Sequence, residues 1–222
     1  MLEQPLVLAS ASPRRAELLR SAGIVFTIHP VDCDESWRPG ERAPDYARRV
    51  AAAKAECAAE ELRDRAPNSG IGPLILAADT TVWLDAEREP LQKPHDRKHA
   101  AAMLRALTRG RPHRVTTACA VARGGADPTL SAPTLLAPTL IAEFAETTIV
   151  HMRELDDRRF TAFIDAYLDA GDWTDKAGGY AIQGRAAGLV ERIEGSYTSV
   201  VGLPLAQVLA RLDQPFEPAE IG

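Results

Sequence analysis

The chain has 222 residues, 45% of them hydrophobic and 26% charged, with a formal net charge of −5. That length buries a full core, as one domain or two joined lobes, and the acidic balance and lack of a run near the roughly 20 apolar residues of a membrane span exclude a bulk nucleic-acid or membrane binder. Cys33, Cys57 and Cys119 are scattered without C-x-x-C pairing, which argues against a disulfide framework or cysteine zinc site and fits a reducing, cytoplasmic setting.

Leu6-Val7-Leu8 has strand character, and Ala9-Ser10-Ala11-Ser12 leads straight into a helix. Ser12 is placed as N-cap, and Pro13 suits the first helical position, where no backbone N–H is missed. Arg14 and Arg15 fall in the first turn, where the helix dipole favours acids. Two readings stand here. One is an anion site, with forked arginine donors matched to phosphate. The other is a capped surface helix with solvated arginines.

Gly23 marks a stop, and Ile24 to Ile28 reads as a second strand. Val31 to Ser36 is an acidic loop, punctuated by Pro39-Gly40. An alanine-rich helix is expected from Ala43 to about Arg65, in which Arg48, Arg49 and Lys54 form a basic cluster whose plain reading is a solvated face. Pro67-Asn68-Ser69-Gly70 is a turn. Leu74 to Val82 is a continuous apolar run that meets Asp79, which reads as a strand buried on both faces. An acid at the carboxyl end of such a strand is where α/β proteins place chemistry, with a helix-capping aspartate as the structural alternative.

Val82-Trp83-Leu84 extends that strand towards a turn near Asp85 to Glu89. Asp96 caps an amphipathic helix from about Arg97 to Leu107, closed by Arg109-Gly110-Arg111-Pro112. Val115 to Ala122 and Leu140 to Val150 are β-rich. The link between them repeats Pro-Thr-Leu at 128, 133 and 138 and reads as an extended hairpin loop. Leu155 to Asp169 is a helix with a core stripe of Phe160, Phe163, Ile164 and Tyr167.

Asp175 to Gly184 is rich in small residues. Its glycines permit close backbone approach to a ligand and Gln183 offers paired hydrogen bonds to a base edge, unless the segment is simply a tight turn. Leu189 to Ile193 alternates as a strand, and Gly195-Ser196-Tyr197 is a turn. Val200 to Pro204 opens a last helix to about Leu212, and the tail from Pro215 reads as loose. His29, His95, His99, His113 and His151 show no ligand spacing and read as surface residues.

Taken in order, these stretches resemble the Maf family of nucleoside triphosphate pyrophosphatases. The resemblance rests on Leu8-Ala9-Ser10-Ala11-Ser12-Pro13-Arg14-Arg15, Lys54, Ala78-Asp79-Thr80 and Lys93-Pro94. It continues with Asp175-Lys176-Ala177-Gly178, Tyr180-Ala181-Ile182-Gln183-Gly184 and Val201-Gly202-Leu203-Pro204. It implies an α/β fold, a mixed sheet with flanking helices in two lobes around a central cleft, forming one domain over residues 1–214. It also implies hydrolysis of a nucleotide's α–β phosphoanhydride to monophosphate and pyrophosphate with a divalent cation, Mg or Mn. The forms at Arg14, Thr80 and Gln183 resemble the branch acting on dTTP and UTP. The sister branch, acting on 7-methyl-GTP, carries an aromatic residue, Gln and an acid at those positions. Ala11, and a Pro-Thr-Leu link longer than expected, depart from the family pattern.

On that resemblance Asp79 is the expected general base. Arg15, Lys54, Lys93 and the Ser10/Ser12 loop are expected to neutralise the triphosphate. Glu35, with Asp34 as the neighbouring choice, would join Asp79 as a metal ligand. Arg14, Thr80 and Gln183 would choose the base. The expected partner is a nucleoside triphosphate, with no nucleic acid and no membrane, and a homodimer is compatible with the resemblance alone. Two alternatives stand: the same chemistry on 7-methyl-GTP or another modified nucleotide, and a non-catalytic nucleotide-binding regulator of septum formation.

Overall fold

A computed structural model describes residues 5–63, 71–84, 89–125 and 139–212. The turn expected at 67–70, most of the turn near 85–89, nearly all of the Pro-Thr-Leu link and the tail from Pro215 lie outside the described residues. The strands are β1 (Leu6–Leu8), β2 (Phe26–Ile28), β3 (Ile71–Trp83), β4 (Pro90–Leu91), β5 (His113–Gly125), β6 (Thr139–Met152) and β7 (Val190–Glu194). The α-helices are α1 (Pro13–Ser21), α2 (Ala43–Glu61), α3 (Arg97–Leu107), α4 (Asp157–Asp169), α5 (Tyr197–Val201) and α6 (Leu205–Leu212).

One mixed sheet runs in the order β2-β1-β3-β5-β6-β7, with β4 also on β3. β1 is parallel to both β2 and β3, while β4, β5, β6 and β7 join by antiparallel pairing. Helices α1 and α2 make the crossovers that parallel neighbours require.

The period of two along β3 sorts the core by face. Leu74, Leu76 and Ala78 pack with Ala16 and Leu19 of α1 and with Val208 and Leu212 of α6. Ile75 and Ala77 face α2, where Ala47, Ala51 and Ala55 meet Ala118 and Ala120 of β5. Alanine on both surfaces lets the helix lie close to the sheet, because interaxial spacing follows side-chain size. A third cluster gathers Leu104 of α3, Ile164 of α4, Val82, Val115 and Tyr180 into a second lobe. The long strands β3 and β5 run through both lobes.

The sheet explains where a cleft can open. β1 pairs with β3 only at Leu74 to Leu76, and its side closes with Ala9 N–H donating to the Leu76 carbonyl at 2.9 Å. β4 meets only Val82 and Trp83. Residues 77–81 therefore pair with β5 on one side and with no described strand on the other. Among the described residues, no helix is long and apolar enough to cross a membrane.

Several boundaries differ from the sequence expectation. β2 begins at Phe26, not Ile24, and α2 ends at Glu61, not near Arg65. Tyr197 opens the short α5 rather than ending a turn, since Ser196 caps it by accepting from Ser199 N–H. The last helix starts at Leu205, after Pro204, and Val200 and Val201 belong to α5.

Candidate active site

Ser10, Ser12, Arg14, Arg15, Glu35, Lys54, Asp79, Thr80, Lys93 and Gln183 all line one cleft of about 540 Å³. It opens at the unpaired stretch of β3. Asp79 does not end its strand, as the sequence suggested, since β3 continues to Trp83. What ends is the neighbouring strand, so Asp79 sits mid-strand yet borders the cleft.

Alternation then splits the chemistry between two faces. Asp79 follows Ile75 and Ala77 onto the α2 side, where it is 7% exposed. Lys54 lies within the buried stripe of α2 and is 8% exposed. Its Nζ donates to Asp79 Oδ1 at 2.9 Å and pairs with Glu35 Oε1 at 3.0 Å. Burial pushes the Asp79 carboxyl above the usual carboxylate range, while Lys54 and Arg15 pull against that rise. The acidic loop is anchored by Tyr46, whose hydroxyl donates to the Glu35 carbonyl at 2.9 Å. Asp34 turns to its own backbone, accepting from Ser36 N–H at 2.9 Å, so Glu35 is the loop carboxylate at the cleft.

Thr80 points to the opposite face, towards α1. There Arg15 donates through Nε to the Gly202 carbonyl (2.8 Å), through Nη1 to Ser10 Oγ (3.0 Å) and through Nη2 to Thr80 Oγ1 (3.2 Å). Arg14 Nε reaches the Val201 carbonyl at 3.4 Å. Burial, with Arg15 beside it, pulls the Arg14 guanidinium below its ordinary pKa. Ser12 occupies the N-cap position of α1 with Pro13 following, but its side chain makes no capping bond. Instead its N–H donates to Ser10 Oγ at 3.2 Å, and the first turn holds no acid.

Lys93 and Gln183 are both exposed at the cleft. Lys176, quoted in a motif but given no role from sequence, also lines the cleft, and its ammonium is pulled down by burial and by Arg14. Gly178 (φ +68°), Gly179 (φ +74°) and Gly184 (φ +84°) give this segment the backbone that L side chains resist. Two phenols hold it in place. Tyr167 donates to the Gly179 carbonyl at 3.2 Å, and the Tyr180 hydroxyl lies 2.7 Å from His113 Nε2.

His113 is the clearest departure from the sequence reading. It is 0% exposed, not a surface residue, and burial lowers its pKa to about 3. The signal was available in its position, since His113 lies two residues before Val115 on the strand face that also carries Cys119 and Val121. The other four histidines are not fully buried, and His29 and His151 pair with Glu61 and Glu194.

The arrangement combines a buried carboxylate held by an ammonium with a positively charged wall of Arg14, Arg15, Lys93 and Lys176. A buried carboxylate beside cationic side chains is an arrangement that can serve hydrolysis of a phosphoanhydride. For a divalent cation, Glu35 and Asp79 offer hard oxygens beside one ammonium. No group of three His, Cys, Asp or Glu side chains stands together among the described residues. That donor set suits Mg²⁺, which commonly takes one or two carboxylates and completes its shell with phosphate and water.

The chain is 42% identical over 215 residues to a protein of Geobacter sp. (strain M21) named dTTP/UTP pyrophosphatase, covering 96% of each chain. It is 41% identical over 210 residues to a protein of the same name from Hahella chejuensis, covering 94% of this chain and 91% of that one. A third such protein, from Methylobacillus flagellatus, is 43% identical over 201 residues, covering 90% and 87%. The family model described as Maf-like protein matches residues 5–215, and the chain belongs to that family.

Proposed function

We propose that this protein hydrolyses dTTP and UTP to the monophosphate and pyrophosphate, with Asp79 as general base. The observation that carries the reading is the buried Asp79–Lys54 contact at the unpaired edge of β3, inside a cationic cleft. Relatives over 40% identical along nearly the full chain carry the corresponding name.

Lys54 occupies Asp79 Oδ1, which leaves Oδ2 to accept a proton. A water oxygen attacks the α-phosphorus as its proton passes to Asp79. The bond from that phosphorus to the bridging oxygen breaks, and pyrophosphate leaves with the electron pair. Burial raises the basicity of Asp79 towards neutral pH, which suits a general base. Arg15, Lys93 and Lys54 stabilise the growing negative charge. Arg14 and Gln183 border the cleft where they can contact the base. Glu35 and Asp79 are the residues that would hold a Mg²⁺ or Mn²⁺ ion, which when bound neutralises phosphate charge.

The test is purified protein with Mg²⁺ against a nucleotide panel. Pyrophosphate release from dTTP and UTP supports the reading. Release from 7-methyl-GTP alone would reassign the substrate, and binding without release would favour a regulator.

A further inference from the structure

Thr117 lies behind the cleft wall, outside every motif on which the sequence reading placed chemistry. It is buried on β5, directly opposite Thr80 in the β3–β5 register, and therefore on the same face of the sheet. Its Oγ1 donates to the Ser199 carbonyl at 2.7 Å, and stands 2.9 Å from Thr80 Oγ1.

A hydroxyl carries one hydrogen. Thr117 gives its hydrogen to Ser199, so in the Thr80–Thr117 contact Thr117 accepts and Thr80 donates. Thr80 in turn faces Arg15 Nη2, a group that only donates. The bonds therefore run one way: Arg15 to Thr80, Thr80 to Thr117, Thr117 to the Ser199 carbonyl of α5. Three residues further on, the Gly202 carbonyl accepts from Arg15 Nε, which closes a ring through α5. Three of the five guanidinium N–H groups are bound, to Gly202, Ser10 and Thr80.

The geometry points to Thr117 as a positioning residue for Arg15: by taking the Thr80 hydrogen, it fixes Thr80 as the acceptor that orients the guanidinium. Thr80 then has no hydrogen left to give a nucleotide base, and it influences the substrate through Arg15. This rests on the pyrophosphatase reading for its kinetic consequence, but not for the orientation itself.

The experiment pairs NMR of the nucleotide-free protein with steady-state kinetics. The Arg15 Nη2–H resonance, which the bond to Thr80 Oγ1 protects and which is identified by its loss in Arg15→Lys, is expected to exchange slowly with water in the parent. Thr117→Val keeps the side-chain shape and removes the hydroxyl, and is expected to abolish that slow exchange. It should also raise KM for dTTP about tenfold, the scale of one hydrogen bond to a charged group. Thr117→Ser restores both. Thr80→Val, which removes the acceptor itself, reproduces the loss if Thr117→Val does not fold. Thr116→Val is the control, because Thr116 bonds to Trp83 and Thr147 on the other face of the sheet, and it leaves Arg15 unchanged. A slowly exchanging Arg15 resonance in Thr117→Val, or an unaltered KM, overturns the proposal. Failure of the parent to release pyrophosphate overturns the pyrophosphatase reading instead, and leaves the exchange measurement to decide the orientation.

Discussion

Lys54 Nζ lies 2.9 Å from Asp79 Oδ1, and the two side chains come from elements that meet face to face, α2 and β3. Lys54 falls at a position of the α2 stripe that every neighbouring turn fills with an apolar residue. A single ammonium in that stripe is balanced by the carboxylate that the β3 alternation delivers opposite it. The same ammonium reaches Glu35 at 3.0 Å, tying the acidic loop to that carboxylate.

Lys54→Met isolates the carboxyl. Without the ammonium, burial acts on Asp79 unopposed by its nearest cation, so its pKa rises further and the deprotonated base appears only at higher pH. The acid limb of the kcat/KM profile is expected to move to higher pH, with turnover at neutral pH reduced by about 10²-fold or more. A profile with an unmoved acid limb would separate Lys54 from the base.

His113 sets the response of the fold to acid. Its pKa is about 3 in the folded protein against 6.5 for the free side chain. Between those values the unfolded chain takes up a proton that the folded chain refuses. Stability is therefore full above pH 6.5 and falls as pH drops, by about 1.4 kcal/mol per unit from this group. Urea unfolding at pH 7.5 and at pH 5 measures it. His113→Gln should shrink the difference between the two by about 2 kcal/mol.

Gly178 tests the segment that carries Gln183. A Cβ there would stand 3.2 Å from Val82 Cγ1, on a backbone at φ +68°. Gly178→Ala is expected to cost about 1–3 kcal/mol by chemical denaturation. Gly40→Ala, strained in φ but with nothing within 4 Å of its Cβ, should cost about 1 kcal/mol, the backbone part alone.

The α/β order and the helix at Pro13 were legible because caps and periodicity are local signals. Lys54 was readable in part: its place in an alanine stripe marks burial, whereas a count of basic neighbours suggested a solvated face. The position of Asp79 misled because an apolar run shows burial but not which strand stops. Only the pairing of β1 at Leu6–Leu8 against β3 at Leu74–Leu76 places the cleft beside a mid-strand acid. Arg15, Thr80, Thr117 and Ser199 are far apart in the chain, and no local pattern announces that their hydrogen bonds form one path. The burial of His113 was legible from its place two residues before Val115, but its partner Tyr180 was not, since it lies in another segment.

The most direct measurement is pyrophosphate release from dTTP by Asp79→Asn, with nucleotide binding followed in parallel. The substitution keeps the size of the side chain and removes its ability to take a proton. Release should fall by about 10²-fold or more while dTTP still binds. Turnover near the parent level would contradict the assignment of Asp79 as the base.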